Sequence, residues 1–155
     1  MRLDAYRDQQ SSRSLLSSLH SVECLALYSH HFRIDISANL LAVLRNLPHL
    51  RRLSLSFFCL SPKDVDNLPS TLEYLLFWNY EISKRYSHPT VSILDIYGRP
   101  GNALAGLGAG DWPCLRQFRL IDESDWTHEV MAACKARGIL GFHGNGDDWI
   151  PVDLA

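Results

Sequence analysis

Six residues, Leu50-Arg51-Arg52-Leu53-Ser54-Leu55, constrain this chain more than any others, because their L-x-x-L-x-L spacing recurs along it. The same template fits Val22/Leu25/Leu27, Leu72/Leu75/Phe77, Val91/Leu94/Ile96 and Leu115/Phe118/Leu120, which makes five copies. The steps between them, 28, 22, 19 and 24 residues, are irregular. Nearly all fall within the roughly 20 to 29 residues of one repeating coil that carries this strand motif. Such a unit cannot bury its apolar face alone, so copies must stack into one continuous core.

The 155 residues, 46% apolar and 21% charged, suffice for one globular domain with a sizeable core. A formal charge of −2, with Lys and Arg scattered, offers no basic field for nucleic acid, so none is expected as a partner. Cys24, Cys59, Cys114 and Cys134 form no C-x-x-C pair, and the chain opens Met1-Arg2-Leu3-Asp4 without the apolar run of a signal peptide. They read as reduced, mostly buried thiols. No apolar stretch approaches the ~18 residues of a spanning helix, so the expected setting is intracellular, cytoplasmic or nuclear, without a membrane partner.

In chain order, residues 1–14 are polar and read as an N-terminal cap or linker ahead of the repeats at 15–142, with 143–155 as a C-terminal cap or tail. Val22 to Tyr28 is the first strand, followed by Ile36, Leu40, Leu41, Leu44 and Leu47 at helical spacing and by Pro48 as a stop. After the strand Leu50 to Ser56, Ser61-Pro62 predicts a helix N-cap with proline at its first position. Leu72 to Trp78 leads into a polar return, Ser83 to Pro89, read as loop, and Val91 to Tyr97 ends at Gly98-Arg99-Pro100-Gly101. After Leu115 to Ile121, Asp122 to Gly138 predicts the best helix, capped by Ser124 or Asp125, with Trp126, Val130, Met131 and Cys134 on one face and Gly138 as its stop. Ile139-Leu140-Gly141-Phe142 reads as a sixth strand, with Trp149-Ile150 folding back over the open end.

On these five strand motifs, residues 15–142 resemble a leucine-rich repeat domain. The irregular lengths, the segment LPHLRRLSL at Leu47 to Leu55 and CKARGI at Cys134 to Ile139 resemble the F-box-associated type common in fungi. The resemblance implies an α/β fold: a short right-handed solenoid of five to six coils with a parallel sheet on its concave face. It also implies a protein-binding domain that recruits substrates to a ubiquitin ligase. Two departures stand out. The family's buried Asn or Cys ladder falls here on His30, Phe58, Tyr80, Arg99 and Glu123, and only Phe32, Leu60 and Ile82, not Gly101 or Asp125, keep the apolar residue two places later. Only 14 residues precede Leu15, too few for the roughly 40 of an F-box, so a cullin adaptor is expected as a partner only with an F-box upstream.

If Leu53 and Leu55 face inward, alternation turns Arg52, Ser54 and Ser56 to the other, concave face. Its equivalents are Cys24, Ala26 and Tyr28, then Tyr74, Leu76 and Trp78, then Ile93, Asp95 and Tyr97, then Gln117, Arg119 and Ile121. The outermost row reads Tyr28, Ser56, Trp78, Tyr97, Ile121. Three aromatics in an exposed row suit a recognition surface, with Tyr28, Arg52, Ser56, Trp78, Tyr97 and Arg119 as partner-binding residues. The alternative is that these rings pack on the preceding turn or the C-terminal tail.

Other motifs carry less. His128 and Cys134, six residues apart on one helix, face widely different directions, so the seven histidines read as surface residues and no metal is expected. Gly106-Leu107-Gly108-Ala109-Gly110 resembles a phosphate-cradling loop but lacks the Lys-Ser/Thr end and a following helix. Asp122, Glu123 and Asp125 read as a helix-start cluster, and no nucleophile elbow occurs. No cofactor or catalytic residue is assigned and the chain is read as a non-enzyme. The alternative to recognition is a structural module that self-associates through Val22 to Tyr28 as an under-capped terminal strand.

Overall fold

A computed structural model describes residues 2–4, 19–28, 34–56, 58–81, 85–99, 107, 110–121, 127–144 and 150–151. Its strands are β1 (Arg2–Asp4), β2 (Cys24–Tyr28), β3 (Ile34–Asp35), β4 (Arg52–Ser56), β5 (Phe58–Cys59), β6 (Tyr74–Glu81), β7 (Ile93–Arg99), β8 (Gln117–Leu120), β9 (Leu140–His143) and β10 (Ile150–Pro151). Its helices are α1 (Ala38–Arg45), α2 (Pro62–Asp66) and α3 (Thr127–Ala136). The protein is α/β. Eight strands form one sheet in the order β1-β2-β4-β6-β7-β8-β9-β10, every pair parallel except β9 with β10, and β3 and β5 form a small parallel pair beside it.

The repeated template builds the sheet directly. Its first apolar residue sits before each strand, and the second and third lie in the strand two residues apart, on one face. Leu25, Leu53, Leu75, Leu94 and Phe118 are register partners across five strands, as are Leu27, Leu55, Phe77, Ile96 and Leu120, and all ten are buried. Leu41, Val43 and Leu44 of α1, Val65 of α2, and Val130, Met131 and Cys134 of α3 join them in one core. Helices and connecting segments thus cover one face of the sheet and leave the other open.

Polar contacts fix the register as regularly as the leucines. The carbonyls of Glu23, Arg51, Glu73 and Ser92 each accept two successive backbone N–H groups from the start of the next strand, at 2.8–3.1 Å. The Thr71 hydroxyl donates to the Leu50 carbonyl and that of Thr90 to the Leu72 carbonyl, both at 2.8 Å, tying each strand entry to the one before. A one-residue slip would turn every inward leucine to water, so this pairing and the apolar pattern specify the same register.

Helix ends follow their sequence signals. Ser37 caps α1 by accepting from the Leu40 N–H at 3.2 Å. At α2, Ser61 Oγ accepts from the Asp64 N–H at 3.2 Å and Asp64 Oδ2 accepts from the Ser61 N–H at 3.1 Å, a reciprocal capping box with Pro62 at the first helical position. Gly138 ends α3 at φ 67°, with its N–H on Lys135 O at 3.1 Å and that of Ile139 on Cys134 O at 2.9 Å. That pair of bonds is a Schellman stop, which needs a left-handed residue.

Several expectations are corrected. Val22 to Tyr28 is not the terminal strand, because β1 pairs in parallel along it, Leu3 opposite Leu27. The template misses β1, which carries one leucine between charged residues. The return Ser83 to Pro89 reads as polar, yet Tyr86 and His88 are buried. Tyr86 stacks on Phe77, centroids 5.1 Å apart, and its hydroxyl donates to the Leu60 carbonyl at 2.9 Å, so the loop supplies core where a helix does elsewhere. His88 therefore departs from the surface reading of the histidines. The thiols are not mostly buried either: Cys134 is, but Cys24 lies on the open face and Cys114 in a turn, both exposed. Trp126, the caps Ser124 and Asp125, most of the glycine loop, and the ladder positions His30 and Glu123 lie outside the described residues.

Candidate functional site

The open face is read from the strand pairing. One row runs Cys24, Arg52, Tyr74, Ile93, Gln117, Leu140; the next runs Ala26, Ser54, Leu76, Asp95, Arg119, Phe142; the third runs Tyr28, Ser56, Trp78, Tyr97. Ile121 follows β8, its N–H on the Ile96 carbonyl at 2.9 Å, and is half-buried. The residues expected on this face share it.

Trp78 and Tyr97 are direct register partners, and their rings stack with centroids 4.4 Å apart at 29°. Trp78 is 42% exposed and Tyr97 37%, so each ring has one face on its neighbour and the pair still meets solvent. Cross-strand aromatic pairs of this kind hold each other's rotamer. Ser56, next in the row, is buried, which removes it from the contact set, and Tyr28 is half-buried.

In the middle of the face lies a carboxylate that is only 2% exposed, Asp95. Arg119, on the adjacent strand, donates Nε to Oδ1 at 2.6 Å and Nη2 to Oδ2 at 2.5 Å, while the Tyr74 hydroxyl donates to Oδ2 at 2.7 Å. Both carboxylate oxygens are thus engaged and the buried charge is paired, as burial requires. Burial, and then the Asp95 carboxylate beside it, push the Tyr74 phenol above its ordinary value. The guanidinium carbons of Arg52 and Arg119 stand 6.0 and 5.9 Å from the Tyr74 ring centroid. Arg119 therefore orders the face rather than standing ready for a partner, while Arg52 is exposed.

Two residues of the face escaped the sequence reading, Leu140 and Phe142. Gly141 takes the inward place in line with Phe118, and a Cβ there would overlap Met131 Sδ, so α3 fills the space that a leucine fills elsewhere. With glycine inward, the apolar residues beside it turn outward: Leu140 is 49% exposed and Phe142 half-buried next to Arg119. A glycine between two apolar residues in a strand was the available signal.

Among the described residues no group of three or more His, Cys, Asp or Glu side chains could hold a metal ion. No described helix is long and apolar enough to cross a membrane. Among the described side chains the face offers stacked rings, aliphatic groups, the exposed guanidinium of Arg52 and the Asp95–Arg119–Tyr74 network. Neither a protein-family model, nor a curated protein, nor a solved structure matches the chain.

Proposed function

We propose that this chain is an intracellular, non-catalytic protein-recognition module of the leucine-rich repeat type, a short solenoid whose open sheet face is its concave binding surface. Support for the repeat assignment is the pairing of parallel strands in chain order, with the template residues of five strands aligned and buried. The observation that carries the functional reading is the stacked, solvent-exposed Trp78–Tyr97 pair. Aromatic side chains already held in one rotamer lose little entropy on binding, and Trp and Tyr dominate interface energetics. Ile93 and Leu140 in the first row and Phe142 in the second add apolar surface elsewhere on the face.

Substrate recruitment for a ubiquitin ligase rests on the resemblance of the sequence segments to F-box-associated repeats. The test is affinity capture of the tagged chain from its native cells beside a Trp78→Ala/Tyr97→Ala variant whose circular dichroism is unchanged. A protein lost only from the variant supports recognition through this face, and recovery of a cullin adaptor supports the ligase role. A set of bound proteins that ignores the double change sinks the face. Against the alternative, self-association through Val22 to Tyr28, stands the pairing of β2 with both β1 and β4.

A further inference from the structure

We infer that the occupant of the open face is an acidic segment of a partner protein, its carboxylate on Arg52 and an apolar side chain on the Trp78–Tyr97 stack. This deepens the recognition reading and rests on it.

At the strand entries, Glu23, Arg51, Glu73 and Arg116 form a row that is neutral in sum, with Arg51 and Glu73 paired at 3.5 Å. On the face itself, Asp95 and Arg119 neutralise each other. β1 adds one charge of each sign, Arg2 in register with Ala26 and Asp4 with Tyr28. That leaves Arg52, exposed and without a carboxylate partner among the described residues, as the excess positive charge of the face. Its guanidinium carbon stands 6.0 Å from the Tyr74 ring centroid, a cation–π contact that leaves its donors unsatisfied. A planar guanidinium so placed matches a carboxylate in two-point geometry.

Arg52 and the aromatic pair sit at opposite ends of the face, Arg52 in the first row of β4 and Trp78 in the third row of the adjacent β6. Four residues of strand rise and one strand spacing separate them, about 14 Å. An extended chain covers about 3.3–3.6 Å per residue, so four residues bridge that span. Half-buried Leu76 lies between, in the middle row. The preferred segment has Asp or Glu four positions from Pro or a bulky apolar residue, with small or apolar side chains between.

The experiment is selection of random nine-residue peptides displayed on phage against the full chain. The best sequence is then synthesised with its acidic residue and with the corresponding amide, and binding is read by titration calorimetry, a readout that does not depend on Trp78. Acidic-apolar pairs at about this spacing should be enriched. The amide should bind about fivefold more weakly, as for an exposed ion pair, and that difference should vanish on a folded Arg52→Gln variant. Selected peptides without acidic residues, an acid preference that persists in Arg52→Gln, no selected peptide at all, or tighter binding of oligothymidylate would each overturn the inference. Peptides lost on Trp78→Ala/Tyr97→Ala yet indifferent to Arg52→Gln overturn it while leaving the recognition reading in place. Peptides indifferent to both variants remove both.

Discussion

Arg119 holds Asp95 by two parallel hydrogen bonds, 2.6 and 2.5 Å, on a sheet face where Arg52, Trp78, Tyr97 and Leu140 meet water. Removing one partner of a buried pair strands the other, whereas replacing both by apolar groups of similar size does not. Asp95 is the more buried partner, the Arg119 side chain keeping 25% exposure against 2%. Arg119→Ala should therefore lower unfolding free energy by about 3 kcal/mol, whereas Asp95→Leu/Arg119→Met should lose only the roughly 1.5 kcal/mol of the Tyr74 hydroxyl's bond to Asp95. Urea midpoints at unchanged slope measure both. A double variant as unstable as Arg119→Ala would mean that the pair does more than cover its own burial.

Tyr74 adds a pH dependence on the alkaline side. Its phenol is raised in the folded protein, so as pH climbs past the ordinary value of about 10 the unfolded chain releases a proton that the folded one keeps. Folding stability attributable to this group is complete below that pH and falls above it. Urea midpoints between pH 9 and 11 should decline, and Tyr74→Phe should flatten the decline. The same variant should lose roughly 1.5 kcal/mol at neutral pH through the missing bond to a charged acceptor.

What the sequence makes legible is what repeats. Leu53 and Leu55 recur with a spacing that sets strand, inward face and register together, so the rows containing Trp78 and Tyr97 follow from alternation alone. Features that do not repeat are hidden. β1 matches no template. Tyr86 and His88 are buried by tertiary packing within a segment whose local composition is polar. Leu140 faces outward because Met131 occupies the space over Gly141, a relationship between α3 and β9 that no local window contains. The Asp95–Arg119 bond joins residues 24 apart in the chain and becomes visible only once the strands are paired.

His88 supplies the acid side. The ring is fully buried, with Nε2 3.1 Å from the Leu68 carbonyl and Nδ1 accepting from the Thr90 N–H at 3.4 Å. Thr90 Oγ1 lies 3.2 Å from the same nitrogen, and a neutral ring donating Nε2–H to the Leu68 carbonyl satisfies the buried imidazole without burying a charge. Burial depresses its pKa despite the Leu68 bond and the Asp66 charge, which raise it. Below about pH 6.5 the unfolded chain takes up a proton that the folded one refuses, so stability present above that pH is lost as pH falls. Urea midpoints from pH 7.5 to 5 should fall, with a smaller fall in His88→Gln. An identical slope in that variant would assign the acid sensitivity to other groups.

Thiol chemistry should divide the described cysteines. Cys24 and Cys114 are exposed, whereas Cys134 lies in the core and burial pushes its thiol up to about 12. At pH 8 the exposed pair should react with an aromatic disulfide reagent within minutes, since both sulfurs are open to the reagent. Cys134 should react only as the helix and strand around it open. Mass spectrometry of digested, labelled protein distinguishes the sites. Labelling of Cys134 as fast as Cys24 would show that α3 leaves the sheet readily.

Two glycines flanking the same helix end should respond to alanine for different reasons. At Gly138 a Cβ meets nothing within 4 Å, so the cost comes from the backbone alone, held at φ 67° by the Schellman bonds. Gly138→Ala should cost about 1 kcal/mol, and Gly138→Asn less, because Asn tolerates that region. At Gly141 the backbone is ordinary and the obstacle is the Met131 sulfur, with the Cys134 Cβ 3.5 Å away. Gly141→Ala should cost about 1–3 kcal/mol through repacking, and Met131→Ala should offset part of that loss in the double variant while leaving the Gly138→Ala cost unchanged. Denaturation midpoints of the two double-mutant cycles separate the mechanisms. Coupling between Met131 and Gly138 rather than Gly141 would refute the packing that turns Leu140 outward.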